Sequence, residues 1–221
     1  MIKGWKTASD EVPNTIHDSK DAQNPLLGKD TDERIIMSLE QTYPEHNFDV
    51  VKPYKDGKGV CKDENGVEFD VYNMVYNNSF HFGITDSYLY TILENQDFVK
   101  KAQVIAEKYS LKLSYEKENK FLDITINTGQ TDYPKAEIIV QAVKEILNSV
   151  TVPEIIYTDG EFSTGIVNYF TEPDLPGICV VCNDKIETSE FFRFDDKDKS
   201  DEELKGRVEK VIQRSHESIE E

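Results

Sequence analysis

Asn65-Gly66 is the pair of residues that most constrains how this chain folds. A two-residue hairpin turn needs positive φ at both positions, which asparagine and glycine accept at least cost. Here the pair stands between Lys58–Lys62 and the β-rich run Val67–Tyr76. Val67, Phe69, Val71 and Val75 alternate onto one face of that run. A hairpin fixes antiparallel pairing, so any sheet built around this turn is antiparallel at its centre.

The rest of the chain alternates helical and strand-like periods. Asp30 and Glu33 have capping-box spacing ahead of Ile35, Ile36, Leu39 and Tyr43, and Tyr43-Pro44 ends that helix. A strand follows at 48–51. A long helical period covers 86–109, with Asn95-Gln96-Asp97 as a break and Asp97 as the cap of a second piece. Segments 111–116 and 120–127 read as a hairpin. A helix at 133–149 carries Pro134 in its first turn, where no backbone N–H is needed. Short strands are expected at 154–158, 162–170, 178–182 and 188–194, the last two as a hairpin around Asn183-Asp184. Ser200 and Glu203 open a final helix with the stripe Leu204, Val208, Val211, Ile212 and Ile219. The class is therefore α+β, with mostly antiparallel sheet and helices packed on one face. Two similar α-β-α halves are one arrangement of these elements. Residues 1–29, polar and marked by Pro13 and Pro25, read as a flexible tail or linker before a globular region 30–221, with a sub-division near 110–130 as an option.

Charge narrows the function classes. The chain has 221 residues, 25 Lys+Arg and 43 Asp+Glu, a net charge of −18. Phosphate binding rests on clustered Lys and Arg, so nucleic acid and anionic lipid are poor partners. A protein with a basic surface is the partner this charge favours. No stretch reaches the roughly 18 apolar residues of a membrane-spanning helix. The odd set Cys61, Cys179 and Cys182 makes no disulfide framework.

The motifs that suggest chemistry each have a plainer explanation. Cys179-Val-Val-Cys182 lies in a β-branched run, where residues three apart face opposite ways, so it lacks the geometry of a redox pair. Among the four histidines, His17, His46, His81 and His216, none has H-x-H or H-E-x-x-H spacing. His46 and His81 are the two that could meet in space, although no spacing requires it. An EF-hand loop starting at Asp196 places Asp198 and Ser200 correctly, but puts Asp201 where glycine belongs and Arg207 where the bidentate glutamate belongs. Ser163-Thr164-Gly165 has no base partner in a known spacing. Tyr72, Tyr76, Tyr88 and Tyr90 suit either an interface or ordinary strand propensity. The sequence thus nominates no catalytic, cofactor-binding or metal-binding residue and no cofactor.

Three segments together carry a resemblance: Tyr43-Pro44-Glu45-His46-Asn47-Phe48-Asp49-Val50, Glu68-Phe69-Asp70-Val71 and Asp86-Ser87-Tyr88-Leu89. They resemble motifs of small surface proteins and lipoproteins of Gram-positive bacteria that have no assigned function, with Pro44 where glycine is usual. The likeness spans about residues 30–95. It implies a tethered extracytoplasmic domain with residues 1–29 as stalk, and supplies no catalytic residues. The lipid-bearing cysteine of such proteins does not occur in 1–29. The expectation is a non-enzymatic accessory or binding domain of bacterial surface type. The alternatives are a cytoplasmic, acidic immunity or inhibitor protein with a basic partner, and an enzyme whose site is assembled from distant residues. Oligomeric state and ligand are not legible.

Overall fold

The computed structural model describes residues 6–7, 28–77, 81–115, 124–127, 134–156, 176–182 and 189–217. The chain is α+β and divides into two compact units, Met1–Thr91 with Pro153–Asp174, and Ile92–Val152 with Leu175–Glu221. The division falls between Thr91 and Ile92, not near 110–130, because the second unit draws its strands from both sides of residue 150.

The first unit is an antiparallel sheet with a helix on it. Its elements are β1 (Lys6–Thr7), α1 (Thr31–Thr42), β2 (Phe48–Lys55), β3 (Lys58–Asp63), β4 (Glu68–Asn77) and β5 (His81–Asp86). The strands run β1-β4-β3-β2, with β5 also paired to β4. Within the segment expected to be a tail, Lys6 pairs with Tyr76 and Thr7 with Val75. The Asp30 capping box forms in both directions, with Glu33 N–H on Asp30 Oδ1 at 2.8 Å and Asp30 N–H on Glu33 Oε2 at 2.9 Å. Helix α1 turns Ile35 and Leu39 into the core and packs against β2 and β5.

The hairpin joining β3 and β4 is present, but not as a two-residue turn: 64–67 separate the strands, Gly66 alone is left-handed at φ 83°, and its N–H donates to the Asp63 carbonyl at 3.0 Å. A second tight turn precedes it. Asp56 and Gly57, both left-handed at φ 52° and 85°, join β2 to β3 and extend β2 well past the expected end at Val51. Edge strand β2 is protected from further pairing by Lys52, Pro53 and Lys55, by two irregularities of register, and by the Tyr54 N–H bond to Asp32 of α1 at 2.9 Å. Near residue 154 the expected strand does not form over 154–156. Instead Ile156 N–H donates to the Thr42 carbonyl at 2.9 Å, completing the C-terminal end of α1. The strand expected at 162–170 lies outside the described residues.

Helix α2 (Tyr88–Asn95) and helix α3 (Phe98–Lys108) replace the single long period. The break is where Asn95-Gln96-Asp97 predicted it. Asp97 makes it through a left-handed backbone, φ 56° and ψ 35°, and not through a side-chain cap.

In the second unit, β6 (Lys112–Tyr115), β7 (Ile124–Asn127), β8 (Ile178–Val181) and β9 (Ser189–Phe192) form a sheet in that order. The two expected hairpin pairings are antiparallel, and β7 and β8 are parallel. Ile126, Ile178, Val180 and Phe192 are fully buried on one face. That face also carries Glu190, which meets Arg207 of α5 (Asp201–Glu217), so α5 covers this side. Helix α4 (Ala136–Asn148) packs against α3, α5 and a 3₁₀ turn at Phe194–Asp198. Its predicted apolar face is buried throughout, including Ile139, Val143, Ile146 and Leu147. At about 1.5–3 kcal/mol per large side chain, that stripe is the main reason α4 forms. Pro134 lies just ahead of the N-cap Lys135 and not inside the first turn. The two units differ in topology, five antiparallel strands in one and a four-stranded mixed sheet in the other, so the halves are not alike.

Gly177 is forced by a close approach. A β-carbon there would lie 2.4 Å from the Phe191 ring and 2.5 Å from the Phe192 carbonyl oxygen. Gly177→Ala is expected to destabilise the protein by about 1–3 kcal/mol through overpacking. Val104→Ser, at a position 61% exposed, is expected to change stability by less than about 0.5 kcal/mol. Urea unfolding of both variants checks the contrast.

Candidate functional site

The densest set of chemically capable side chains in the described residues centres on Tyr88, in the first unit. Three local structures bring it together. The exit of α1 presents Tyr43, His46 and Phe48, the β3–β4 turn presents Asp63 and Glu64, and the β5–α2 junction presents Asp86 and Tyr88. Phe69 of β4 completes the cluster.

The Tyr88 ring is boxed by aromatics. Tyr43 lies 5.0 Å away edge-on, Phe48 5.2 Å away at 89°, and Phe69 4.8 Å away at 47° between ring planes. Each such contact contributes about 0.5–1.5 kcal/mol beyond area burial. Tyr88 and Tyr90 are core residues, 0% and 5% exposed, which removes them from the expected tyrosine interface.

The polar groups around this box are bonded in sequence. The Tyr88 hydroxyl donates to Asp63 Oδ2 at 3.0 Å. Asp63 Oδ1 accepts the backbone N–H groups of Asn65 and Val67 at 2.9 and 2.8 Å, which shapes the turn. His46 Nδ1 stands 2.8 Å from Glu64 Oε1 and 3.3 Å from the Tyr88 oxygen. A carboxylate only accepts, so Nδ1 carries the proton in this arrangement. Glu64 Oε2 accepts Asn47 N–H at 3.0 Å. That bond, then the Glu64 N–H and His46, hold the Glu64 carboxyl below the usual range. The deep end is Asp86, whose Oδ1 accepts Tyr88 N–H at 2.9 Å and the Tyr43 hydroxyl at 3.2 Å. Burial outweighs both bonds and pushes Asp86 up to about 6. Burial, then the charges of Asp32 and Asp86, push the Cys61 thiol up to about 12, which makes it an inert core group. Burial, then the bond to Asp63, raise the Tyr88 phenol.

One ligand atom each from His46, Asp63 and Glu64 lies within 4.8 Å of the other two, a set capable of holding a metal ion. His46 is the histidine that this set contains. His216 is exposed on α5, His17 lies outside the described residues, and His81 is in β5 with its side chain outside them.

Comparison with protein-family models, curated proteins and solved structures returns no match.

The remaining sequence candidates have structural roles. Cys182 is buried and Cys179 half-buried at β8. The acidic run before α5 is an ion-pair centre instead of a calcium loop. Asp196, 1% exposed, accepts Arg207 Nη1 at 2.8 Å, Lys199 Nζ at 2.9 Å and Arg193 N–H at 2.8 Å. Positions one and twelve of the tested calcium loop therefore bond to each other. Burial alone would raise the Asp196 carboxyl, but Lys199, the Arg193 N–H and Arg207 hold it below its ordinary value. Arg207 also donates to Glu190 at 2.8 Å and to the Phe191 carbonyl at 2.6 Å, and lies over the Phe192 ring at 4.5 Å. A shallow depression of about 360 Å³ lies between α3 and β6, lined by Leu93, Phe98, Lys100 and Tyr115 among others. No sequence signal marks it.

Two predictions follow from these buried charges. The folded value of Asp86, about 6, exceeds the ordinary 3.8, so folding is strongest from this group below pH about 4. Its contribution is lost as pH rises to about 6, a fall of about 3 kcal/mol. Asp86→Asn keeps an acceptor for both hydrogen bonds, so its stability advantage over wild type should grow across that window and then level off. Urea midpoints from pH 4.5 to 7.5 test this, and a constant difference would contradict it. Arg207→Ala leaves Asp196 buried against fewer cations and is expected to cost about 3–5 kcal/mol. Lys205→Ala is expected to cost about 0–1 kcal/mol, because the acids it bonds, Glu137 and Glu209, are exposed.

Proposed function

We propose that this chain is a non-enzymatic accessory or binding domain of bacterial surface type whose partner is a protein with a basic surface. The observation that carries the reading is where the acidic surplus lies. The buried carboxylates Asp63, Asp86 and Asp196 are engaged by the chain's own donors. The exposed ones are not used by the fold to the same degree. In the first unit Glu40, Glu45, Asp49, Asp56 and Glu68 are exposed, and in the second Asp201, Glu202 and Glu203. Asp49 is 77% exposed and meets Lys62 only at 3.9 Å, whereas Asp201, 75% exposed, is paired with Lys144 at 2.6 Å. An exposed surplus of one sign speeds encounter with the opposite sign and rejects like-charged partners.

The surface assignment rests on the resemblance of the α1 exit, β4 and the start of α2 to Gram-positive surface proteins. The cytoplasmic immunity or inhibitor reading draws on the same acidity and differs in location. Intact mass of the native protein from membrane and soluble fractions separates them. A processed or lipid-bearing N-terminus supports the surface reading, and a soluble unprocessed chain supports the other.

Affinity capture from the source cells at low salt, with mass spectrometry, tests the partner class. The expected result is a basic protein whose purified form binds with an affinity that falls about tenfold or more as ionic strength passes from low to physiological and beyond. Binding that is indifferent to salt, or a partner without a basic surface, would sink this reading.

A further inference from the structure

We propose that the exit of α1 and the β3–β4 turn form a binding site for a divalent transition-metal ion, with His46, Asp63 and Glu64 as ligands. The three offer ligand atoms within 4.8 Å of one another. Ligands on a tetrahedral zinc ion, at about 2.0–2.2 Å from the metal, stand about 3.4 Å apart. The 2.8 Å separation of His46 Nδ1 and Glu64 Oε1 and the 4.8 Å limit for the set bracket that distance. One imidazole nitrogen with two carboxylate oxygens suits Zn²⁺, Co²⁺ or Mn²⁺ better than Ca²⁺ or Mg²⁺, which take oxygen alone.

The ligands are already oriented by a second layer of bonds. Asp63 is fixed by two backbone N–H groups on Oδ1 and by the Tyr88 hydroxyl on Oδ2. Glu64 is fixed by Asn47 N–H on Oε2, which leaves Oε1 turned to His46. Such outer bonds are what metal sites use to hold their ligands. Charge points the same way. Asp63 is 3% exposed, and among the described residues no Lys or Arg lies in ion-pair distance of Asp63 or Glu64. Two carboxylates beside one imidazole lack a full counter-charge, and a divalent ion supplies it. On binding, the ion takes the place of the proton between His46 Nδ1 and Glu64 Oε1, and that proton leaves to solvent. The His46 and Glu64 side chains are 20% and 38% exposed, so water can reach the remaining coordination positions. This site is independent of the protein-partner reading.

The test is calorimetric titration of Zn²⁺ into the full chain after removal of metal by chelator, with Co²⁺ absorption as a second readout. The expected result is one saturable site, weakened about tenfold or more in His46→Ala and in Glu64→Gln and unchanged in His216→Ala and Cys179→Ser. Co²⁺ should give visible ligand-field bands without a thiolate charge-transfer band. Glu64→Gln alters a half-exposed side chain, so it remains informative if His46→Ala fails to fold by circular dichroism. Absence of saturable binding, equal affinity in the Glu64→Gln variant, or a thiolate band abolished by Cys179→Ser would overturn the proposal.

Discussion

The first unit depends on one buried hydroxyl. Tyr88 sits at the start of α2 with its ring enclosed by Tyr43, Phe48 and Phe69, and its hydroxyl proton would lose its acceptor without Asp63 Oδ2, since the neighbouring His46 Nδ1 carries a proton of its own in this arrangement. An unsatisfied buried hydroxyl costs about 1–3 kcal/mol. The same carboxylate organises the β3–β4 turn through its other oxygen. The helix exit, the central hairpin and the entrance to α2 are therefore fixed by shared groups, and a shift in any one breaks bonds in the others. Asp86 adds a second tie from the far side, joining Tyr43 to the Tyr88 backbone.

The second unit solves a similar problem with charge. Asp196 is nearly inaccessible, yet three donors from the 3₁₀ turn and α5 surround it, and Arg207 continues from it to Glu190 and the Phe192 ring. The two buried acids behave oppositely for a physical reason. Asp86 receives neutral donors only, so desolvation wins and its carboxyl titrates high. Asp196 receives cations, so pairing wins and it titrates low. Asp196 thereby fixes the sheet edge to α5, while Asp86 introduces acid-favoured stability into a protein that is otherwise strongly anionic.

Much of the local structure was legible because it is encoded within a few residues. The Asp30 capping box, the Asn65-Gly66 hairpin, the break at Asn95-Gln96-Asp97 and the apolar faces of α4 and α5 depend only on neighbours in sequence. The Asp56-Gly57 turn carried an equally local signal, and recognising it would have extended β2 to Lys55. The extra strand β5 also had a local signal, the Asn77-Asn78-Ser79 cluster followed by alternating Phe80, Phe82 and Ile84. The mode of the Asp97 break was not legible, since an aspartate that caps by its side chain and one that turns left-handed have the same sequence.

The α+β class, the dominance of antiparallel hairpins and the acidic balance follow from the sequence alone, because periodicity, turn chemistry and charge act locally or add over the whole chain. Tertiary structure decided the rest: the division between Thr91 and Ile92, the parallel pairing of β7 with β8, the Asp196–Arg207 pair and the meeting of His46 with Asp63 and Glu64. Each of these joins residues whose separation in sequence carries no period, and only the packing of sheets and helices brings them within bonding distance.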